Sequence, residues 1–80
     1  MMTLYVKTGC PFCKKVRDCV AEMGIQDMIE EKNVADDGVV DELIEKGGKK
    51  QVPYLIDAEK GVEMYESDDI CNYLKENYGN

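Results

Sequence analysis

This chain has no histidine, fewer basic than acidic residues, no second Cys-x-x-Cys, and no apolar run near the roughly 20 residues that span a bilayer. Each absence closes a class of function. Without histidine there is no imidazole to act as general base or metal ligand. Cys10 and Cys13 have the spacing of half a zinc site, but Cys19 and Cys71 do not form a second such pair, so structural zinc is not expected. Lys and Arg number 10 against 17 Asp and Glu, a net charge of −7, the opposite of what a nucleic-acid-binding face requires. Nothing resembles a secretory signal, since Met1-Met2 runs straight into the first apolar segment. The cysteines also lack the spaced framework of a secreted miniprotein. With no membrane span expected either, the expectation is a cytoplasmic protein whose thiols are kept reduced. No linker, low-complexity segment or repeat is visible. The 80 residues are expected to form one domain, 1–80, near the lower size limit for a core that folds without staples.

What is present is Cys10-Pro11-Phe12-Cys13, directly after the apolar run Thr3-Leu4-Tyr5-Val6-Lys7. A strand ending at Thr8-Gly9 and feeding a helix that opens on Cys-Pro places a thiol at a helix N-terminus. The first backbone N–H groups of a helix have no intrahelical partner and carry the positive end of its dipole. A sulfur there ionises more readily than free cysteine, whose pKa is about 8.5. Pro11 at the first helical position loses no hydrogen bond. Cys13 follows one turn behind, within reach of a short disulfide, so the pair is predicted to be a redox dithiol with Cys10 as nucleophile.

Charge is uneven. Between Asp27 and Glu45 there are eight acidic residues and one lysine, Lys32, whereas Lys7, Lys14, Lys15, Arg17, Lys49 and Lys50 fall in segments expected near the dithiol. Most such runs are solvated faces. A basic rim on an acidic protein would also favour the thiolate and an anionic substrate.

Periodicity predicts a strand at 3–7 and a helix at 11–23, with Phe12, Val16, Val20 and Met23 inward and Gly24 as its stop. A second strand lies within 25–34, where Glu30-Glu31-Lys32 mark an edge. Asp36 is the expected cap of a second helix with the stripe Val39, Val40, Leu43 and Ile44, ended by Gly47-Gly48. Pro53-Tyr54-Leu55-Ile56 and Val62-Glu63-Met64-Tyr65 read as two strands joined by a turn at Glu59-Lys60-Gly61. Ser67 is the expected cap of a last helix with Ile70, Tyr73 and Leu74 inward. A strand–helix–strand unit makes the first two strands parallel with a right-handed crossover, and the short turn makes the last two an antiparallel hairpin. Packing the hairpin beside strand 1 gives an α/β fold, βαβ-α-ββ-α, with a four-stranded mixed sheet in the order 2-1-3-4 flanked by three helices.

The sequence strand–Cys-Pro-Phe-Cys–helix, then Val52-Pro53, then Ser67-Asp68-Asp69-Ile70, resembles a glutaredoxin of the thioredoxin fold over nearly the whole chain. In the second half, Gln51-Val52-Pro53-Tyr54-Leu55 and Met64-Tyr65-Glu66-Ser67 are similar to the thioredoxin-type N-terminal domain of glutathione S-transferases. There a Glu-Ser pair holds the γ-glutamyl end of glutathione. These 80 residues do not include the helical second domain of such transferases. They also carry Tyr65-Glu66 about where many glutaredoxins have Gly-Gly.

The resemblance implies a glutathione-dependent thiol–disulfide oxidoreductase acting through Cys10 and Cys13, with glutathione as co-substrate and no bound cofactor or metal. Val52 would offer backbone groups to an extended tripeptide, with Pro53 cis and Gln51 beside it. Ser67 and Asp68, with Glu66, would receive the γ-glutamyl end. Lys7 and Lys50, or Lys49, would meet the glycine carboxylate, and Phe12 would flank the thiols. The implied partners are glutathione or another low-molecular-weight thiol and disulfide-containing proteins, met by a monomer. Two alternatives stand beside it: an electron donor fed by a thioredoxin reductase, and an iron–sulfur cluster carrier using Cys10 plus glutathione. Cys19 and Cys71 read as small buried hydrophobes, with glutathionylation or an intermolecular bond as a lesser possibility for Cys71.

Overall fold

The computed structural model describes residues 2–79. In chain order the elements are β1 (Met2–Val6), α1 (Pro11–Met23), a 3₁₀ turn (Gln26–Met28), β2 (Ile29–Asn33), α2 (Val39–Gly47), β3 (Tyr54–Asp57), β4 (Val62–Met64) and α3 (Ser67–Tyr78). The sheet order is β2-β1-β3-β4, as the connections require. β1 runs parallel to β2 with Leu4 opposite Glu31, and antiparallel to β3 with Leu4 opposite Leu55. β3 and β4 are antiparallel, with Leu55 opposite Met64.

Alternation along β1 divides the interior. Met2, Leu4 and Val6 point to the face covered by α1 and α3, where they pack with Val16, Val20, Leu55, Ile70 and Leu74. Tyr5 points the other way, with Leu43 of α2 and Tyr54 of β3. β1 is thus covered on both faces, as the central strand of such a sheet must be. It ends at the loop that presents Cys10.

Several local expectations need correction. On α1 the buried stripe is Cys13, Val16 and Val20, while Phe12 is 63% exposed. Positions 12 and 13 both fit a stripe through 16 and 20, and the helix turns the smaller side chain inward. Asp36 does not cap α2: Gly38 holds that position, and Ile44 is largely exposed. Glu66, not Ser67, occupies the cap position of α3 and makes no side-chain capping bond, so Ser67 is its first helical residue and is buried. Tyr65 lies beyond the end of β4. The predicted stop of α1 holds, with Gly24 in the left-handed region (φ 68°) and the Ile25 N–H donating to Val20 O at 3.3 Å.

The largest departure concerns Cys19 and Cys71. They are not separate buried thiols; they form a disulfide between α1 and α3, with Cα atoms 6.0 Å apart. The folded positions of the helices create this pairing, which joins residues 52 apart in sequence.

Candidate active site

Cys10 occupies the cap position of α1 in an extended conformation, and Pro11 is the first helical residue. The Cys10 N–H donates to Lys7 O at 3.2 Å, closing the turn out of β1, and the Lys14 N–H donates to Cys10 O at 3.0 Å as the helix begins. Asn33 Nδ2 donates to Thr8 Oγ1 at 2.8 Å, which ties that turn to the end of β2. The thiol is therefore held by a short, well-bonded loop between two regular elements.

Cys10 and Cys13 are both free thiols, Cys10 half-buried and Cys13 buried. Their environments drive the two apart. Burial acts against ionisation of Cys10, but it is outweighed by the backbone N–H groups of Cys13 and Phe12, the Cys13 thiol and the Lys7 charge. Together these hold Cys10 below its ordinary value. Burial pushes Cys13 up to about 11, helped by its hydrogen bond to Cys10 and by the Cys10 charge, against the backbone at Lys7 and the charge of Arg17. The result is one sulfur that ionises more readily than an ordinary cysteine and a neighbour that holds its proton.

A cavity of about 210 Å³ reaches the start of α1 at Phe12, which stands between the two cysteines in sequence, and is lined by Phe12, Gln51, Val52, Pro53, Tyr65, Glu66, Ser67 and Asp68, with neither thiol in its wall. Three elements meet here: the start of α1, the loop entering β3 through the cis Val52–Pro53 bond, and the start of α3. Seven of the residues singled out from the sequence thus share one groove. Tyr65 was not among them, and its appearance in place of the small residues of many glutaredoxins was the available signal. Its ring stacks on Tyr54 with centroids 4.4 Å apart, and its hydroxyl donates to Lys49 O at 3.3 Å. The Lys49 ammonium lies 4.7 Å from the centre of the Tyr65 ring, so Lys49 borders this groove.

The other expected lysines are elsewhere. Lys50 lines neither this groove nor its neighbour. Lys7 is on the far side of the thiols, in a cavity of about 870 Å³ between α1 and β2, with Cys10, Cys13 and Arg17 among its walls. Arg17 pairs there with Glu31 of β2 at 3.4 Å. Asp68 is paired across the helices with Lys15 of α1. Among the described residues no three His, Cys, Asp or Glu side chains are grouped to hold a metal ion, and no helix is long and apolar enough to cross a membrane.

Comparison with known proteins places this geometry in context. The family model for the glutathione S-transferase N-terminal domain matches residues 4–80. Comparison with curated proteins gives no match. Among solved structures, a glutathione S-transferase from the Antarctic clam Laternula elliptica is 31% identical, with a TM-score of 0.78 over 96% of this chain and 35% of its own. A delta-class glutathione transferase from Nilaparvata lugens is 26% identical, with a TM-score of 0.80 over the whole of this chain and 37% of its own. A glutathione transferase family member from Pseudomonas fluorescens, solved with bound glutathione, has a TM-score of 0.81 at 21% identity and is covered over 40% of its length. At that identity the likeness is one of fold. This chain thus spans a little over a third of the length of the first two transferases.

Proposed function

Because this chain belongs to the family of glutathione S-transferase N-terminal domains, we propose that it binds glutathione in the Val52–Ser67 groove and exchanges thiols and disulfides through Cys10 and Cys13, as a glutaredoxin-type oxidoreductase. The observation that carries this reading is the pair of free thiols at the start of α1, one held below and one above the ordinary cysteine value, on either side of the Phe12 that lines a groove at a second helix start.

In this reading the extended tripeptide lies along Val52, using its backbone N–H and C=O as an added strand would. Its γ-glutamyl carboxylate meets the first N–H groups of α3 at Ser67 and Asp68. Its amine faces Glu66 and Asp68, and Lys49 serves the opposite end. Cys10 thiolate attacks one sulfur of a disulfide, and the electron pair of the broken bond leaves on the other sulfur. The Cys10 mixed disulfide is then resolved by a second glutathione or by Cys13. Cys13 becomes easier to ionise at that moment, because the Cys10 charge that raised its pKa is gone. The wide cavity on the Lys7 side leaves room for the departing partner.

The test is an NADPH-coupled assay with a small glutathione mixed disulfide, run with glutathione reductase and separately with thioredoxin reductase. Glutathione-supported turnover is expected. Cys10→Ser should abolish it, and Cys13→Ser should keep glutathione exchange while losing reduction of protein disulfides. Turnover with thioredoxin reductase alone would overturn the glutathione reading in favour of the electron-donor alternative.

A further inference from the structure

The thiol chemistry proposed at Cys10 and Cys13 makes no use of the disulfide one to two turns further along the same helix. Cys19 on α1 and Cys71 on α3 bind the two helices across their shared seam. Those helices supply opposite halves of the site. α1 opens at the thiols, and α3 opens at Ser67 and Asp68. Beyond this bond, the ion pair Lys15–Asp68 joins them one turn closer to the site, but both of its side chains are exposed, 53% and 71%, so it holds them weakly.

We propose that Cys19–Cys71 is a second redox site, whose oxidation state sets the affinity of the Val52–Ser67 groove for glutathione; this rests on the glutathione reading above. Cys19 is half-buried and Cys71 is 5% exposed, so an incoming thiolate reaches the Cys19 sulfur first. That attack forms a mixed disulfide at Cys19 and breaks the bond to Cys71, which leaves with the electron pair and takes a proton. A second thiol of the same class, such as glutathione, attacks the sulfur of the first. Cys19 is released as a thiol and the reductant departs as its own disulfide, two thiols having supplied two electrons. Reoxidation runs the same exchange backwards, with a low-molecular-weight disulfide as oxidant.

Reduction cannot leave the seam as it was. The bond ties α1 to α3 covalently, and once it is broken two separate thiols must be accommodated in the same packed seam. Cys71 packs in the same cluster as Val16, Val20, Ile70 and Leu74, and interiors at crystal-like density transmit such a change. The helices therefore separate or slide, and the α3 start moves relative to Cys10. The coupling is reciprocal: if the oxidised form binds glutathione more tightly, bound glutathione makes the disulfide harder to reduce by the same factor.

The experiment uses the full chain carrying Cys10→Ser and Cys13→Ser, so that Cys19 and Cys71 are its remaining cysteines. S-methylglutathione, which has no free thiol, is titrated by calorimetry into the oxidised form, the reduced form and the reoxidised form. The expected result is binding weakened about fivefold or more on reduction, in the ordinary range of coupling between sites, and restored on reoxidation. The redox equilibrium of the pair in a dithiothreitol buffer should shift by the same factor when S-methylglutathione is saturating. Equal affinity in both states overturns the proposal while leaving the glutathione site standing. Binding in neither state removes the glutathione site and the proposal with it. Should circular dichroism show that the reduced form is unfolded, Cys19→Val with Cys71→Val fills the seam without a bond and replaces it, with the same weakening expected.

Discussion

The hydroxyl of Tyr65 fills the space where a side chain at Gly47 would begin. A Cβ at that position would lie 2.9 Å from Tyr65 Cζ and nearer still to the hydroxyl, with Tyr54 Cζ at 3.2 Å. Gly47, the last residue of α2, thus lets Tyr65 stack on Tyr54 and bond to Lys49 O, in the loop that leads to Val52. Gly47→Ala should displace Tyr65, destabilise the fold by roughly 1–3 kcal/mol as overpacking does, and raise KM for a glutathione mixed disulfide. In a Tyr65→Phe background the colliding oxygen is gone, so the same substitution should cost less. A double-mutant cycle by chemical denaturation measures the difference; strictly additive effects would refute this account.

Cys10 is held ionisable in part by a donor one turn away. Cys13→Ser keeps a hydroxyl to donate to the Cys10 thiolate, whereas Cys13→Ala does not. The pH profile of Cys10 alkylation should therefore have its midpoint below free cysteine in the natural protein and in Cys13→Ser, and move upward in Cys13→Ala. Identical midpoints in all three would assign the depression to the helix start and Lys7 alone.

Asp68 is shared between two uses, its pair with Lys15 and its proposed place at the glutathione amine. Asp68→Ala should raise KM for the glutathione mixed disulfide, whereas Lys15→Ala should lower it, by less than about fivefold because the pair is exposed. Added salt should weaken the reaction in the natural protein more than in Asp68→Ala. A higher KM in Lys15→Ala would mean that the pair positions Asp68 instead of competing for it.

Asp57, at the end of β3, is buried and accepts hydrogen bonds at Oδ2 from the hydroxyls of Tyr73 and Tyr78 on α3. Burial works against its charge, yet these donors, with Lys60, hold the carboxyl below its ordinary value. Its ionised form therefore adds stability in full above the unfolded-chain pKa of about 3.9, and that contribution is lost as pH falls through the lower folded value. Asp57→Asn should cost about 2–3 kcal/mol at neutral pH and flatten the loss of stability on the acid side. Denaturation followed between pH 2 and 7, roughly the carboxylate range, checks both; an unchanged acid limb would show that Asp57 does not govern it.

The parts of this molecule legible in the sequence are those fixed by neighbouring residues. Cys-Pro after an apolar strand forces a thiol onto a helix start, and short connections leave little choice of strand order. What escaped the reading depends on contacts made at a distance. Phe12 and Cys13 fit the helical period equally well, and packing chose between them. Ser67 and Asp36 are both good caps by residue type, but the chain enters its helices at Glu66 and Gly38. Lys7 and Lys50 carry the right charge, yet the geometry sets Lys7 behind the thiols and leaves Lys49 at the groove. Cys19 and Cys71 meet because α1 and α3 lie side by side on one face of the sheet.

The outer strands bear on how these molecules treat one another at high concentration. β2, at one side, exposes Glu30 and Glu31, and β4, at the other, is three residues long. Neither offers a long uncharged template on which another copy's backbone could pair. A carboxylate-bearing strand on one flank and a truncated one on the other discourage growth of the sheet into ribbons, even when thermal opening frees a segment of a neighbouring copy.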